Sequence, residues 1–181
     1  VGMSTNFAPH NLQEVCSALL MVLDNPDVQL GELMQVIEGP DFPTGGVVCG
    51  RRGILDAYSK GRGLLTLRAK THFEDVTKQK EAIIITEIPY QVSKAKLAGD
   101  IAGLVKDGRV TGVSDIRDES DRTGIRLVVE LKKDENAQVI LNQLFKHTQL
   151  QTTFGIQQIA LVNGRPRTLT LLQLLHAYRD H

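Results

Sequence analysis

The chain has no surplus of either charge: lysine and arginine number 21, and so do aspartate and glutamate. A protein that met nucleic acid or an anionic membrane through its overall charge would carry excess cations, so any such signal here is local. Cysteine is scarce too. Cys16 and Cys49 are the two present, both within apolar runs and without CxxC spacing. That suits buried thiols in a reducing compartment, not a disulfide framework. No apolar run approaches the roughly 20 residues of a membrane-spanning helix, and no signal-peptide pattern opens the chain. A soluble, intracellular protein is expected.

Motifs that carry chemistry are also missing. "GVVCGRRGIL" lacks the GK[ST] ending of a phosphate loop, and "GRGLL" lacks GxGxxG. The histidines, His10, His72, His147, His176 and His181, are scattered with neither HExxH nor a Cys/His cluster, so no zinc site is expected. There is no GxSxG, and no nucleophile stands near a histidine at motif strength. "DIRDESD" offers Asp118, Glu119 and Asp121 to a divalent cation but lacks the glycine and closing glutamate of an EF-hand loop; a solvated hairpin tip is the plainer reading. A tyrosine that attacks a phosphodiester needs a cation beside it. Of Tyr58, Tyr90 and Tyr178, only Tyr178 has one, Arg179, and it lies on a leucine-rich helix where packing accounts for it.

What is present is an ordinary globular composition, 41% hydrophobic and 23% charged, with mixed periodicities. Leu12, Val15, Cys16, Leu19, Leu20 and Leu23 form an amphipathic stripe that predicts a helix capped by Asn11 and stopped by Pro26. "LGELMQVIEGP" predicts a short second helix ending at Gly39-Pro40, "GVVCG" a brief strand, and "RRGILDAYSKG" a helix of two to three turns. "GLLTLRAKTHFED" reads as one longer strand and "EAIIITEIPY" as another, neighbours of "GVVCG" in one sheet. A helix capped by Ser93 and stopped by Gly108 follows, then two strands around an acidic hairpin, then a helix in "NAQVILNQLFKHTQL". "TTFGIQQIALVNGRPRTL" reads as a Gly-interrupted pair of extended pieces, and "TLLQLLHAYRDH" as a last helix capped by Thr170. Hairpin-length connections between intermixed strands and helices favour an α+β fold, a two-layer mixed or antiparallel sheet with flanking helices, over a doubly wound parallel sheet. The open ends, with no initiator methionine and no C-cap, suggest a fragment of a longer protein.

Charge is segregated along this neutral chain. Between Gly45 and Lys70 there are six glycines, and from Arg51 to Lys70 six basic residues, Arg51, Arg52, Lys60, Arg62, Arg68 and Lys70, against Asp56 alone. The opposite pole holds Asp115, Asp118, Glu119 and Asp121 against Arg117. On the residues alone, the basic segment is either a solvated face or a surface that meets a long polyanion. In the second case Gly50 and Gly53 would let the start of a helix approach a phosphate while Arg51 and Arg52 supply charge.

Longer strings then match a family. "VGMSTNFAPHNLQEV", "GPDFPTGGVVCGRRGILDAYSKGRG", "TEIPYQVSKAKL", "DIRDESDRTGIRLVVELK" and "QLQTTFGIQQIALVNGRPRTLTLLQLL" together resemble the A subunits of bacterial DNA gyrase, in order from Val1 to His181. The A subunits of topoisomerase IV share the layout, but "DFPTGG", "TEIPYQVSKAKL" and "QTTFGI" are nearer the gyrase form. Ala8 departs from the family's Pro-Pro-His-Asn, while Pro9, His10 and Asn11 match.

The resemblance implies residues 1–39 leading from the DNA-gate domain, a tower α/β domain over 40–169, and the start of a coiled-coil arm over 170–181. In that family the protein breaks and rejoins duplex DNA through an arginine-tyrosine pair that lies upstream of Val1, so no catalytic residue is expected here and the fragment alone should be inactive. Mg2+ and ATP enter through the B subunit of an A2B2 assembly, so no cofactor is expected here. Duplex DNA is the implied partner, the bacterial cytoplasm and nucleoid the implied location, and the fragment is expected to be monomeric. The DNA-contacting residues expected on this basis are Arg51, Arg52, Lys60, Arg62, Arg68, Lys70, Lys94 and Lys96, binding phosphates without reading bases. A purely structural spacer with a solvated basic strip is the competing reading.

Overall fold

A computed structural model describes residues 3–181, leaving Val1 and Gly2, the start of the first matching string, outside the described residues. In chain order the first elements are α1 (Leu12–Asp24), α2 (Leu30–Leu33), β1 (Val47–Val48), α3 (Arg52–Lys60), β2 (Arg62–Arg68), β3 (Lys70–Thr77) and β4 (Lys80–Glu87). There follow α4 (Lys94–Lys106), β5 (Val113–Asp118), β6 (Leu127–Leu131), α5 (Ala137–His147), β7 (Gln151–Gln157), β8 (Ile159–Val162), β9 (Arg165–Thr168) and α6 (Leu171–Asp180). The fold is α+β with antiparallel pairing in β3-β4-β6-β5 and in β8-β9, as the mixed periodicities predict. The chain forms two compact units, one from Val1–Pro43, Val48–Thr66 and Thr153–His181, the other from Thr44–Val47 and Leu67–Thr152.

In the first unit, α1 begins where Asn11 Oδ1 accepts from the Glu14 amide at 3.1 Å, satisfying a donor that the helix cannot. Its core face is narrower than the apolar stripe: Ala18 and Val22 are fully buried, while Leu12, Leu20 and Leu23 are exposed and so is Cys16. Small residues four apart allow the close packing, and the longer leucines look outward. The expectation of buried thiols therefore fails for Cys16; Cys49 is half-buried, and both are free. Helix α2 stops at Leu33, well short of Gly39-Pro40. Its Gln29/Glu32 capping box fixes the start, and bonds from Gln35 to Glu32 and from Val36 to Leu33 tighten the chain into turns that bury Ile37. At the far end, Thr170 and Gln173 cap α6 reciprocally, at 3.2 and 3.0 Å.

Two expectations about strands change. "GLLTLRAKTHFED" is two strands, because at buried Ala69 the amide turns to the Leu150 carbonyl at 2.8 Å and the chain leaves β2 to enter β3. Consequently β2 belongs to a sheet in the order β1-β2-β7, and β3 and β4 to another in the order β3-β4-β6-β5. "TTFGIQQIALVNGRPRTL" holds three strands, not two: β7 runs through Gly155 without interruption, and β8 and β9 follow because Asn163 (φ 51°) and Gly164 (φ 74°) make the tight turn that Asn-Gly favours between paired strands.

The second unit is organised by β4. Ile83 and Ile85 point with Leu127, Val129 and Leu131 into a core closed by Leu97 and Ile101 of α4 and Ile140 and Leu144 of α5. Alternation sends Ala82, Ile84 and Val128 to the other face, where they too are buried. Across that face His72, Ile84, Val128 and Arg117 lie in register, as do Glu74, Ala82 and Glu130. Charged side chains therefore flank the apolar strip, and their stems can cover it. The edge strands β3 and β5 both carry register shifts, at Lys70/Thr71, Asp75/Thr77 and Val113/Asp115.

Candidate nucleic-acid interface

The glycines of the basic segment are mostly committed to packing. A β-carbon on Gly53 would strike the Leu64 carbonyl oxygen, and one on Gly63 the Gly53 carbonyl oxygen, so this pair lets α3 lie directly on β2. Gly61 takes a left-handed conformation (φ 78°) to end α3, against the backbone of Leu169. Gly45 and Gly46 wrap the Glu87 carboxylate, which accepts from the Gly46 amide at 2.6 Å. Of the two glycines expected at a phosphate, Gly53 thus has a structural duty, whereas Gly50 (φ 79°) borders open space.

Beside Gly50, the N-terminal turn of α3 is bare. Arg51 occupies the cap position, and among the described residues no side chain accepts from the first-turn amides. The positive end of the helix thus lies beside two exposed arginines, Arg51 and Arg52. Arg52 is held weakly, 4.0 Å from Asp56, which pairs more closely with Lys60 at 3.0 Å. Arg51 and Arg62 have no ion pair among the described residues.

The eight candidate cations fall four to each unit. Arg51, Arg52, Lys60 and Arg62 gather on α3 and the start of β2 in the first, while Arg68, Lys70, Lys94 and Lys96 belong to the second. Within the second unit they are unequal. Arg68 donates from Nε to Gln151 Oε1 at 2.6 Å and stacks 4.8 Å over the Phe145 ring. Lys94 pairs with Asp118 at 2.8 Å. Lys70 and Lys96 are exposed, with no ion pair among the described residues.

The acidic pole is a network of ion pairs. Arg117 meets Glu130 at 2.6 Å, Asp115 at 3.0 Å and Glu119 at 3.7 Å; Arg126 meets Glu74 at 2.8 Å and Glu119 at 3.3 Å. The Arg126 hydrogen bond, then that of His72, lowers the Glu74 carboxyl to about 2. Lys94, then Ser120, likewise lowers Asp118 to about 2. Glu130 and Glu74, respectively, push the Arg117 and Arg126 guanidiniums further up. Carboxylates so engaged have few lone pairs left for a cation, and among the described residues no three His, Cys, Asp or Glu side chains converge as a metal site.

The tyrosines also separate. Tyr58 is buried and its hydroxyl lies 2.6 Å from His10 Nε2. The Ala8 carbonyl, 2.8 Å from His10 Nδ1, only accepts, which assigns the imidazole proton to Nδ1 and makes Tyr58 the donor to Nε2. Burial, and then the charge of Glu14, raises the Tyr58 phenol above its ordinary range. Tyr178, expected to be packed, is 70% exposed because α6 turns it outward. Sequence reasoning passed over two further cations, Arg165 and Arg167 on β9, both exposed. Lacking periodicity or a dense charge run, they gave no signal except their adjacency to the Asn-Gly turn.

No helix among the described residues is long and apolar enough to cross a membrane. The family model for the A subunit of DNA gyrase/topoisomerase IV matches residues 1–181. The chain is 57% identical over 178 residues (98% of its length) to the DNA gyrase A subunit of Clostridium acetobutylicum. It is 55% and 54% identical over its full length to those of Fibrobacter succinogenes and Halalkalibacterium halodurans. It spans about a fifth of each relative, 20% to 22%. A match across every residue, with relatives more than half identical, establishes that the chain belongs to the DNA gyrase/topoisomerase IV A-subunit family.

Proposed function

We propose that the chain is the tower region of a DNA gyrase A subunit, supporting the flank of a bent duplex by phosphate contacts. Residues 1–39 lead in from the DNA-gate domain, 40–169 form the tower, and 170–181 begin the coiled-coil arm. The whole protein, a type II topoisomerase, would break, pass and rejoin duplex DNA to introduce negative supercoils. ATP and Mg2+ would act through the B subunit of an A2B2 assembly in the bacterial cytoplasm. The chain itself contributes no catalytic tyrosine.

The observation that carries this reading is the bare first turn of α3, where Gly50, Arg51 and Arg52 offer amides, helix dipole and guanidinium groups to one anion. Arg62 adds an unpaired charge at the start of the neighbouring strand. Such contacts fix position and carry no base code. Bending a duplex costs on the order of several kcal/mol, which distributed phosphate contacts can offset. The pairing of Lys94 with Asp118 and the stacking of Arg68 favour a structural role for those two residues, so the first-unit cations are the ones to test.

The experiment is fluorescence anisotropy of the chain with two unrelated duplexes across a salt series. Changing Arg51, Arg52 and Arg62 together to alanine should weaken both duplexes equally and flatten the salt dependence by roughly 0.9 log units for each phosphate no longer neutralised. Changing exposed Arg122, Lys132 and Lys133 instead should leave both readings near the parent. Equal losses in the two triple variants would reduce the binding to generic charge attraction, and no loss in the first would favour the structural spacer.

A further inference from the structure

We infer that the β8-β9 hairpin is a second phosphate-contacting element, with Arg165 and Arg167 extending the cationic surface of α3 and β2. The inference rests on the proposed DNA-supporting role and adds residues to it.

Backbone contacts set the hairpin's place within the first unit. The Gln158 amide donates to the Gly61 carbonyl at 2.8 Å, and the Leu169 amide to the Gln158 carbonyl at 2.8 Å. Gly61 lies so near the hairpin's end that a β-carbon there would come within 2.7 Å of Thr168 Cγ2 and 2.6 Å of the Leu169 oxygen. Lys60 and Arg62 flank Gly61 on one side of this contact, and Arg167 is next to Thr168 on the other. Extended chain rises about 3.3 Å per residue, so Arg165 stands roughly 7 Å beyond Arg167 on the same side of β9. Lys60, Arg62, Arg167 and Arg165 therefore belong to one neighbourhood, although a hundred residues of sequence separate the two pairs.

The charge of the hairpin is uncompensated. From Gln151 to Thr168 there is no aspartate or glutamate. Across the cavity bordered by Arg167, Gln173 and His176, the acid present is Asp180, and Arg179 already holds it at 2.9 Å. Neither Arg165 nor Arg167 makes an ion pair among the described residues, and all four residues of β9 are exposed. Pro166 lacks an amide donor, and β8-β9 is a separate two-stranded ribbon. A narrow ribbon with cations two residues apart can follow a phosphate backbone, as β-ribbons do in several DNA-binding folds.

The test is the same anisotropy series on the full chain with Arg165→Ala/Arg167→Ala and, separately, Arg165→Lys/Arg167→Lys, each checked for parental circular dichroism and Tm. The alanine pair should lower affinity for both unrelated duplexes and reduce the salt slope by up to about 1.8 log units, two contacts at roughly 0.9 each. The lysine pair should keep most of the slope. An unchanged slope in the alanine pair, with loss still seen for Arg51/Arg52/Arg62, would overturn the hairpin's part alone. A parent that does not bind duplex DNA would overturn both this inference and the function beneath it.

Discussion

Arg126 grips Glu74 with both terminal nitrogens, Nη1 to Oε2 at 2.9 Å and Nη2 to Oε1 at 2.8 Å, reaching from the start of β6 across β4 to β3. A carboxylate held this way resists protonation until about pH 2, against an ordinary 4.5. Its folded pKa is depressed, so its contribution is fully present above about 4.5 and is lost as pH falls toward 2. The urea midpoint should drop through that window, and Glu74→Gln should lower it at pH 7 while flattening the drop. A variant with the parent's pH profile would show that the grip adds nothing.

The same substitution should have opposite signs at two helical glycines. Gly53→Ala drives a methyl into the Leu64 carbonyl, backbone that cannot turn aside, and should cost about 1–3 kcal/mol. Gly99→Ala, on the exposed side of α4 with nothing within 4 Å, should gain up to about 1 kcal/mol. Thermal or urea unfolding reads both.

Cys16 and Cys49 should differ in reactivity toward a thiol reagent in the native protein. Cys16 is exposed on α1 and should react first; half-buried Cys49 should lag. Cys16→Ser removes the fast phase if this is right and the slow one if it is wrong.

Incubated with a gyrase B subunit, ATP, magnesium and supercoiled plasmid, the chain should form no covalent DNA adduct and change no linking number. Its one tyrosine beside an arginine, Tyr178, is exposed on α6, and Arg179 is engaged by Asp180. An adduct trapped by denaturation would contradict the proposed division of labour.

Local chemistry made much of the fold readable. Asn11, Ser93 and Thr170 cap helices because short polar side chains satisfy first-turn amides wherever the rest of the chain goes. What failed depended on distant partners. Nothing in "LTLRAKTH" reveals that the Ala69 amide will turn to Leu150, and nothing on α1 reveals that Ala18 and Val22, not the leucines, will face the core. At the candidate site, charge counting found Arg51 and Arg52 but could not know that Asp118 holds Lys94. Nor could it see that the pairing of Gln158 brings Thr168 and Leu169, at the end of the strand that carries Arg165 and Arg167, against Gly61.

The irregular edges of the four-stranded sheet have a further consequence. An added strand needs an unbroken ladder of free amides and carbonyls, and β3 and β5 interrupt theirs with register shifts while projecting charge along their length. Strand addition is thereby disfavoured on both sides. A partner that meets this unit therefore has to engage its surfaces through side chains, and crowded copies of the chain are denied the simplest route to a continuous β-assembly.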